Sequence, residues 1–175
     1  MRTKDRLLAV DASAGDWRKV APQFQEEDVL LMRLIRVASL GITAFTDPIL
    51  RPTGLTESSY HTLIVVLACG DGGTTPSTLC EQVGQTPANM TRILDLLATE
   101  KLIRIRPDAR DARRRRVVAT ASGRKLVRDY AVRFEPLIRV AFGALGAAEK
   151  KVLERALRVL IESMDAVERM VGAGA

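Results

Sequence analysis

Apolar side chains recur at helical spacing through the first third of the chain. The stretch from Val29 to Phe45 is apolar on more than one face, which predicts a helix buried against several neighbours. Asp47 followed by Pro48 predicts its end. A hydroxyl residue opens a second predicted helix, from Thr56 to Cys69, whose apolar face comprises Tyr60, Leu63, Ile64 and Leu67.

Two helix openings of one type follow within a dozen residues. Thr75 before Pro76 and Thr86 before Pro87 each place a capping hydroxyl ahead of a proline at the first helical position. Gly84 indicates the tight turn between the two helices. The first is short and apolar at Leu79 and Val83, and the second has an apolar face of Met90, Ile93, Leu94 and Leu97.

A basic segment with two short apolar flanks comes next. The flanks, Leu102 to Ile105 and Val117 to Ala119, predict two strands of a β-hairpin, with Pro107, Asp108 and several arginines between them. The chain therefore has, in order, a short helix, a turn, a second helix and a hairpin. A winged helix-turn-helix has the same order.

The C-terminal third predicts two more helices. One begins near Ser122, contains Pro136, which should bend it, and ends at Gly143 to Gly146. The last, Ala147 to Val171, has an apolar stripe of nearly heptad spacing. The terminal helices carry more apolar surface than one DNA-reading module covers, so we infer a two-fold interface. The alternative is an intramolecular bundle.

The predicted fold class is mainly α with a small β-hairpin wing: a winged helix-turn-helix with a helical dimerisation region, forming one compact domain. Residues 1–24 are assigned to a flexible N-terminal extension, 25–55 and 120–175 to the dimerisation region, and 56–119 to the DNA-binding region.

Charge is concentrated in one place. Lys101 to Arg116 holds eight Lys or Arg against two acids, an excess that equals the net charge of +6 of the whole chain. Such a segment is typical of a site for a polyanion, because neutralised phosphates release counterions. The alternative is a solvated basic loop without a partner.

Other functions are disfavoured by the residue inventory. His61 is the one histidine, neither cysteine lies in a Cys-x-x-Cys pair, and no Gly-rich phosphate loop is present, so we expect no enzyme, metal or cofactor. A thiol switch at Cys69 or Cys80 remains an alternative, although both lie in apolar contexts where a buried thiol is expected. The other alternative is an RNA-binding module, although no aromatic residue interleaves with the basic run.

We found neither a signal sequence nor an apolar stretch long enough for a membrane span, and expect a cytoplasmic, nucleoid-associated protein.

Several motifs together resemble the MarR (multiple antibiotic resistance regulator) family. They are Gly54-Leu55-Thr56 opening a helix, Pro87 to Arg92 opening the second helix of the helix-turn-helix, Leu102-Ile103, Asp111-Ala112-Arg113 before a strand, and Thr120 with Gly123. The resemblance covers roughly Asp28 to Val171. It implies a homodimeric transcription factor, usually a repressor, dimerising through its N- and C-terminal helices. It also implies a pocket between that interface and the DNA lobes for small aromatic or phenolic effectors.

The sequence departs from the family at two positions of the first wing strand. Lys101 stands where the family usually has Gly, and Ile105 where it has Arg. A non-Gly residue in a left-handed cap costs about 1 kcal/mol. Arg104 and Arg106 could supply charge near Ile105.

The predicted DNA site combines three elements. Asn89, Thr91 and Arg92 begin the recognition helix, where Arg can bind guanine and Asn can bind adenine through two bonds. Double-stranded DNA with a palindromic operator is the expected partner. Hydroxyls at helix openings suit phosphate oxygens, and the arginines of the wing tip suit a narrow minor groove, with Asp111 pairing to Arg113. The remaining predicted contacts are Thr75, Ser77, Thr86, Arg110 and Arg114, with plain helix capping as the alternative for Ser77 and Thr86. Arg115 and Arg116 could instead lie on a solvated face of the second strand. We favour this for one of the two, because neighbouring side chains of a strand point in opposite directions.

An effector site is predicted on the first two long helices. Tyr60 and His61 are adjacent, and Arg51 precedes them. Apolar surface with one or two cations suits a small aromatic carboxylate or phenol. Met32 and Arg36 complete the predicted set. The alternative is that Tyr60 and His61 form a core pair bonded to backbone.

Overall fold

The computed structural model describes residues 2–108, 111 and 114–172. The predicted fold class is confirmed: the chain is mostly helical with one antiparallel hairpin. Its elements in chain order are α1 (Thr3–Ala12), a 3-10 turn (Ala14–Asp16), α2 (Trp17–Val20), α3 (Glu26–Leu50), a 3-10 turn (Arg51–Thr53), α4 (Glu57–Ala68), α5 (Pro76–Val83), α6 (Pro87–Thr99), β1 (Ile103–Pro107), β2 (Arg115–Ala119), α7 (Ala121–Gly143) and α8 (Ala147–Gly172). The chain divides into two compact units within α7, between Phe134 and Glu135.

The N-terminal segment is helical, where the sequence predicts a flexible extension over residues 1–24. Helix α1 packs against α3 and buries Val10. Arg33 on α3 donates from Nη2 to Ser13 Oγ at 2.7 Å and from Nη1 to the Val10 carbonyl at 3.4 Å. Gly41 permits the close contact between the helices, since a Cβ there would lie 3.1 Å from Thr3 Cγ2.

Helix α3 corrects three expectations. It continues past Pro48 to Leu50, because that leucine is fully buried and Arg51 N still bonds to Asp47 O. In the single chain it buries only Val29 and Leu50, so burial against several neighbours within one chain is not observed. Residues 26–53 are also long and apolar enough to cross a membrane by length and composition alone, a stretch that the sequence analysis overlooked. Its exposed apolar side chains include Leu31, Met32, Ile35, Leu40 and Ile42.

The core of the first unit lies among α4, α5, α6 and the wing strands. Thr56 caps α4 through the Ser59 amide at 3.3 Å. One ring contact joins α4 to α7, where Tyr60 and Phe134 have centroids 5.3 Å apart. The fully buried large apolar side chains are Leu50, Leu63, Val66, Leu79, Met90, Leu97 and Val117.

The hairpin is fixed at its base. Ile103 pairs with Ala119 and Pro107 with Arg115, and Thr74 bridges to Val117 on the other side of β2. Lys101 adopts the left-handed conformation (φ 57°) expected at this position. A Cβ at Gly123 would lie 2.2 Å from the Leu102 carbonyl oxygen, so glycine lets α7 start directly against the wing.

The C-terminal helices carry the predicted apolar stripe on their surface. Helix α8 has 26 residues and buries none of them in the single chain. The exposed apolar side chains of α8 include Val152, Leu153, Leu157, Met164, Val167 and Val171.

Candidate nucleic-acid interface

The first two turns of α6 present three polar side chains. Thr86 caps the helix, accepting from the Asn89 amide at 3.3 Å. The side chains of Asn89, Thr91 and Arg92 are exposed. Asn89 donates to Gln85 Oε1 and Thr91 donates to the Pro87 carbonyl at 2.9 Å, whereas Arg92 has no polar partner among the described residues. Arg92 therefore offers an unengaged guanidinium.

The first turn of α5 is closed by its own hydroxyls. Thr75 Oγ1 accepts from the Thr78 amide at 3.2 Å and lies 3.3 Å from Ser77 Oγ. Capping is thus the observed role of Thr75 and Thr86, while Ser77 is exposed. The other amides at these helix starts have no carbonyl partner within their helix, which gives both ends anion-binding character.

The wing tip is described only in part. Arg110 and Arg113 lie outside the described residues, and so does the predicted pair between Asp111 and Arg113. The Asp111 carbonyl accepts from the Arg114 amide at 2.9 Å, and Arg114 is exposed.

The sequence analysis missed the ion pair that anchors the tip. Arg116 Nε donates to Asp108 Oδ2 at 2.6 Å, and Arg116 Nη1 donates to the Gly73 carbonyl at 3.1 Å. The Asp108 side chain is only 9% exposed. Alternation along β2 points Arg115 the other way, into solvent, as expected for one of the two arginines. The signal available in the sequence was an acid directly after the first strand, across from an arginine of the second.

The predicted effector residues do not share one direction. Tyr60 is buried, and its hydroxyl donates to the Val127 carbonyl at 3.5 Å. Burial raises the pKa of Tyr60 above its usual value. His61 is exposed, as are Arg51, Met32 and Arg36. The alternative that Tyr60 and His61 form a core pair therefore holds for Tyr60, which is buried, but not for His61, which is exposed.

The remaining candidate chemistry is sparse. Cys69 and Cys80 are free thiols of intermediate exposure, less buried than the sequence analysis expects. Within the described ranges no group of three or more His, Cys, Asp or Glu could hold a metal ion.

Comparison with known proteins decides the family. Residues 53–114, which contain the helix-turn-helix and most of the wing, match the sequence model of the MarR family. This DNA-binding region is of the MarR family. The chain is 25% identical over 146 residues to the transcriptional repressor MprA of Escherichia coli (strain K12), covering 83% of each chain. The family prediction is thereby confirmed.

Two solved structures similar to this chain are complexes with DNA. The S. aureus MepR-DNA complex matches with a TM-score of 0.68 and 26% identity, covering 74% of this chain and 95% of that one. The C80S mutant of MarR from E. coli, complexed with operator DNA, matches in fold with a TM-score of 0.68 at 21% identity, covering 82% and 96%. The chain is a DNA-binding transcriptional regulator with a winged helix-turn-helix.

Proposed function

We propose that the protein is a homodimeric repressor that binds a palindromic operator in double-stranded DNA and is released by a small aromatic or phenolic acid. One observation carries the DNA part of this proposal. The exposed Arg92 and Asn89 lie near the start of α6, which packs against α5 and belongs to the same unit as the basic wing.

Each element has a distinct role in the proposed complex. Arg92 reads guanine in the major groove, and Asn89 exchanges its bond to Gln85 for an adenine edge. Thr91 contacts base edges beside them, and Thr75, Ser77 and Thr86, with the free amides of the helix starts, hold phosphate oxygens. The wing arginines enter the minor groove or neutralise the phosphates beside it. These wing residues are Arg110, Arg113 and Arg114, with Asp111 orienting them.

Exposed apolar surface supports the homodimer. Helices α3 and α8 expose apolar stripes that a monomer would leave in water. A second copy of the chain covers this apolar surface and gives two recognition helices the symmetry of a palindrome. The length and composition of α3 would also suit a membrane span. In a DNA-binding regulator, self-association in the cytoplasm, at the nucleoid, explains this exposed apolar surface best.

Repression follows the similarity to MprA, which is a repressor. Release requires an effector that binds a conformer with a different spacing between recognition helices more tightly than the DNA-bound one. Arg36 on α3 and Arg51 before α4 are exposed cations and are candidates to pair with its carboxylate, and Met32 and His61 are exposed as well.

Selection of genomic fragments tests the DNA proposal. Fragments bound by the purified protein at controlled salt should share two inverted half-sites. A matched selection with Arg92→Ala should lose base preference at one position of each half-site. Fragments with no common or inverted sequence would refute specific operator binding.

Calorimetry tests the effector proposal separately. Benzoates, hydroxybenzoates and pyridine carboxylates are titrated into wild type and His61→Ala, and each binder is then tested for operator release. Binding that leaves operator affinity unchanged, or no binding by any compound, would eliminate the effector while leaving the DNA proposal intact.

A further inference from the structure

A groove of about 640 Å³ lies beside the wing strands and the first turn of α7. Three arginines line it: Arg104 and Arg106 from β1 and Arg124 from α7. Small apolar side chains of β2 and α7 form much of the remaining lining, namely Val118, Ala119 and Ala121. We call it the wing-base groove.

The groove remains cationic after its internal contacts are counted. Asp71 binds Arg124 (Oδ1 to Nη2, 3.1 Å), but that carboxylate side chain is 90% exposed. Arg106 Nη2 donates only to the neutral backbone carbonyl of Asp71, at 3.3 Å. Arg104 has no hydrogen bond or ion pair within the described part of the chain. Two guanidinium charges are therefore not compensated by a described acid.

The start of α7 adds to this positive field. Thr120 Oγ1 is occupied, since it donates to the Lys101 carbonyl at 2.7 Å and accepts from the Gly123 amide at 3.0 Å. The amides of Ala121 and Ser122 belong to the first turn of a 23-residue helix and have no carbonyl partner within it. Guanidinium groups and a helix start at one groove make an anion site from two independent sources of positive charge.

We propose that the wing-base groove binds a small phosphomonoester with an apolar substituent. A phosphomonoester carries a charge of about −1.5 to −2 and three acceptor oxygens, matching two uncompensated guanidinium groups and the amides of the helix start. A carboxylate carries one charge and satisfies one guanidinium. The small side chains of Val118, Ala119 and Ala121 leave room for the apolar substituent to be removed from water.

The groove also gives the ligand a regulatory effect, and this part rests on the proposed function. Arg104 and Arg106 belong to the basic segment that forms the wing, so a bound phosphomonoester lowers the positive charge available to DNA. By linkage, operator DNA must weaken phosphomonoester binding by the same factor. DNA backbone phosphate has the same chemistry, so the experiment separates the two sources.

Titration of the DNA-free protein with phenyl phosphate at constant ionic strength tests the site itself. We expect saturable binding that is weaker for inorganic phosphate and for benzoate. Arg104→Ala and Arg106→Ala should each weaken it about tenfold or more, as for loss of a charged hydrogen bond. Arg128→Ala removes the same charge from an exposed position of α7 outside the groove and should leave binding within twofold. Because Arg104 has no described polar contact, its variant should stay folded, which circular dichroism checks.

Operator binding with and without phenyl phosphate tests the regulation. The ligand should weaken operator binding by wild type and by Arg128→Ala, but not by the double variant Arg104→Ala/Arg106→Ala. If phenyl phosphate fails to bind the free protein, or if Arg128→Ala weakens it equally, the site is refuted. If the double variant loses operator affinity while the free protein ignores phenyl phosphate, the groove serves DNA phosphate and the small-ligand proposal is overturned. Since the titration contains no DNA, it can succeed even if operator binding fails.

Discussion

Arg116 and Asp108 face each other across the hairpin and join the two strands just before the wing tip, with Nε 2.6 Å from Oδ2. The same guanidinium also bonds to the Gly73 carbonyl at 3.1 Å, in the loop that leads into α5. One arginine of the basic run thus holds the wing against the helix-turn-helix, and its neighbours are left for a partner.

Asp108→Asn should lower the free energy of unfolding by about 1 to 2 kcal/mol, because the amide loses a charge-assisted bond from a largely buried position. Denaturant unfolding at fixed protein concentration measures it. Asp71→Asn is the matched control, since its carboxylate is 90% exposed in its pair with Arg124, and should cost less than about 0.5 kcal/mol. Equal losses in both variants would contradict a structural role for the Asp108 pair.

Arg92→Ala should weaken operator binding by about 1 to 3 kcal/mol and relax preference at one base pair, as loss of a bidentate guanine contact does. Fluorescence anisotropy with operator and point-substituted duplexes measures both. Arg128→Ala, which removes the same charge from α7, should retain the base preference. A uniform loss across all sequences would instead assign Arg92 to a phosphate.

Leu157→Asp should dissociate the dimer, because it places a charge in the exposed apolar stripe of α8. Light scattering coupled to size exclusion should give the mass of one chain, and operator binding should be lost. Ala166→Asp introduces the same charge beside the charged side of α8 and should remain dimeric. If Leu157→Asp also stayed dimeric, the stripe would not be the interface.

Tyr60→Phe should change the pH dependence of stability on the alkaline side. Burial raises the pKa of Tyr60, so the folded state holds the phenol proton more tightly than the unfolded state. Its contribution is complete below the unfolded pKa of about 10 and is lost as pH rises through the folded pKa. Thermal melts from pH 8 to 11 should show a shallower alkaline decline for Tyr60→Phe than for wild type or Tyr130→Phe. Identical declines in all three proteins would assign the alkaline loss to other groups.

Local chemistry predicted the DNA lobe well. Thr-Pro openings define where α5 and α6 begin, and Gly84 adopts the left-handed turn that separates them. These features depend on residues within a few positions of each other, so the sequence contains them directly. The left-handed conformation of Lys101, by contrast, was expected only from the resemblance, because the family usually has Gly at this position.

Long-range pairing was not predictable in the same way. Whether Asp108 meets Arg116 depends on hairpin register, which is set by the whole pattern of paired residues and not by the acid itself. His61 and Tyr60 are neighbours in sequence, yet one helical step of about 100° puts one in solvent and the other in the core. Helix α3 is apolar on several faces, but nothing local distinguishes burial within one chain from burial by a second copy.

The salt dependence of operator affinity tests the central claim most directly. A dimer that contributes two basic wings and two pairs of helix starts should neutralise several phosphates. Affinity should then fall by about 10³-fold or more between 50 and 200 mM salt, with a linear plot of log affinity against log salt concentration. A nearly flat plot, or single-stranded DNA competing as well as the duplex operator, would contradict recognition of DNA by the wing and the helix starts.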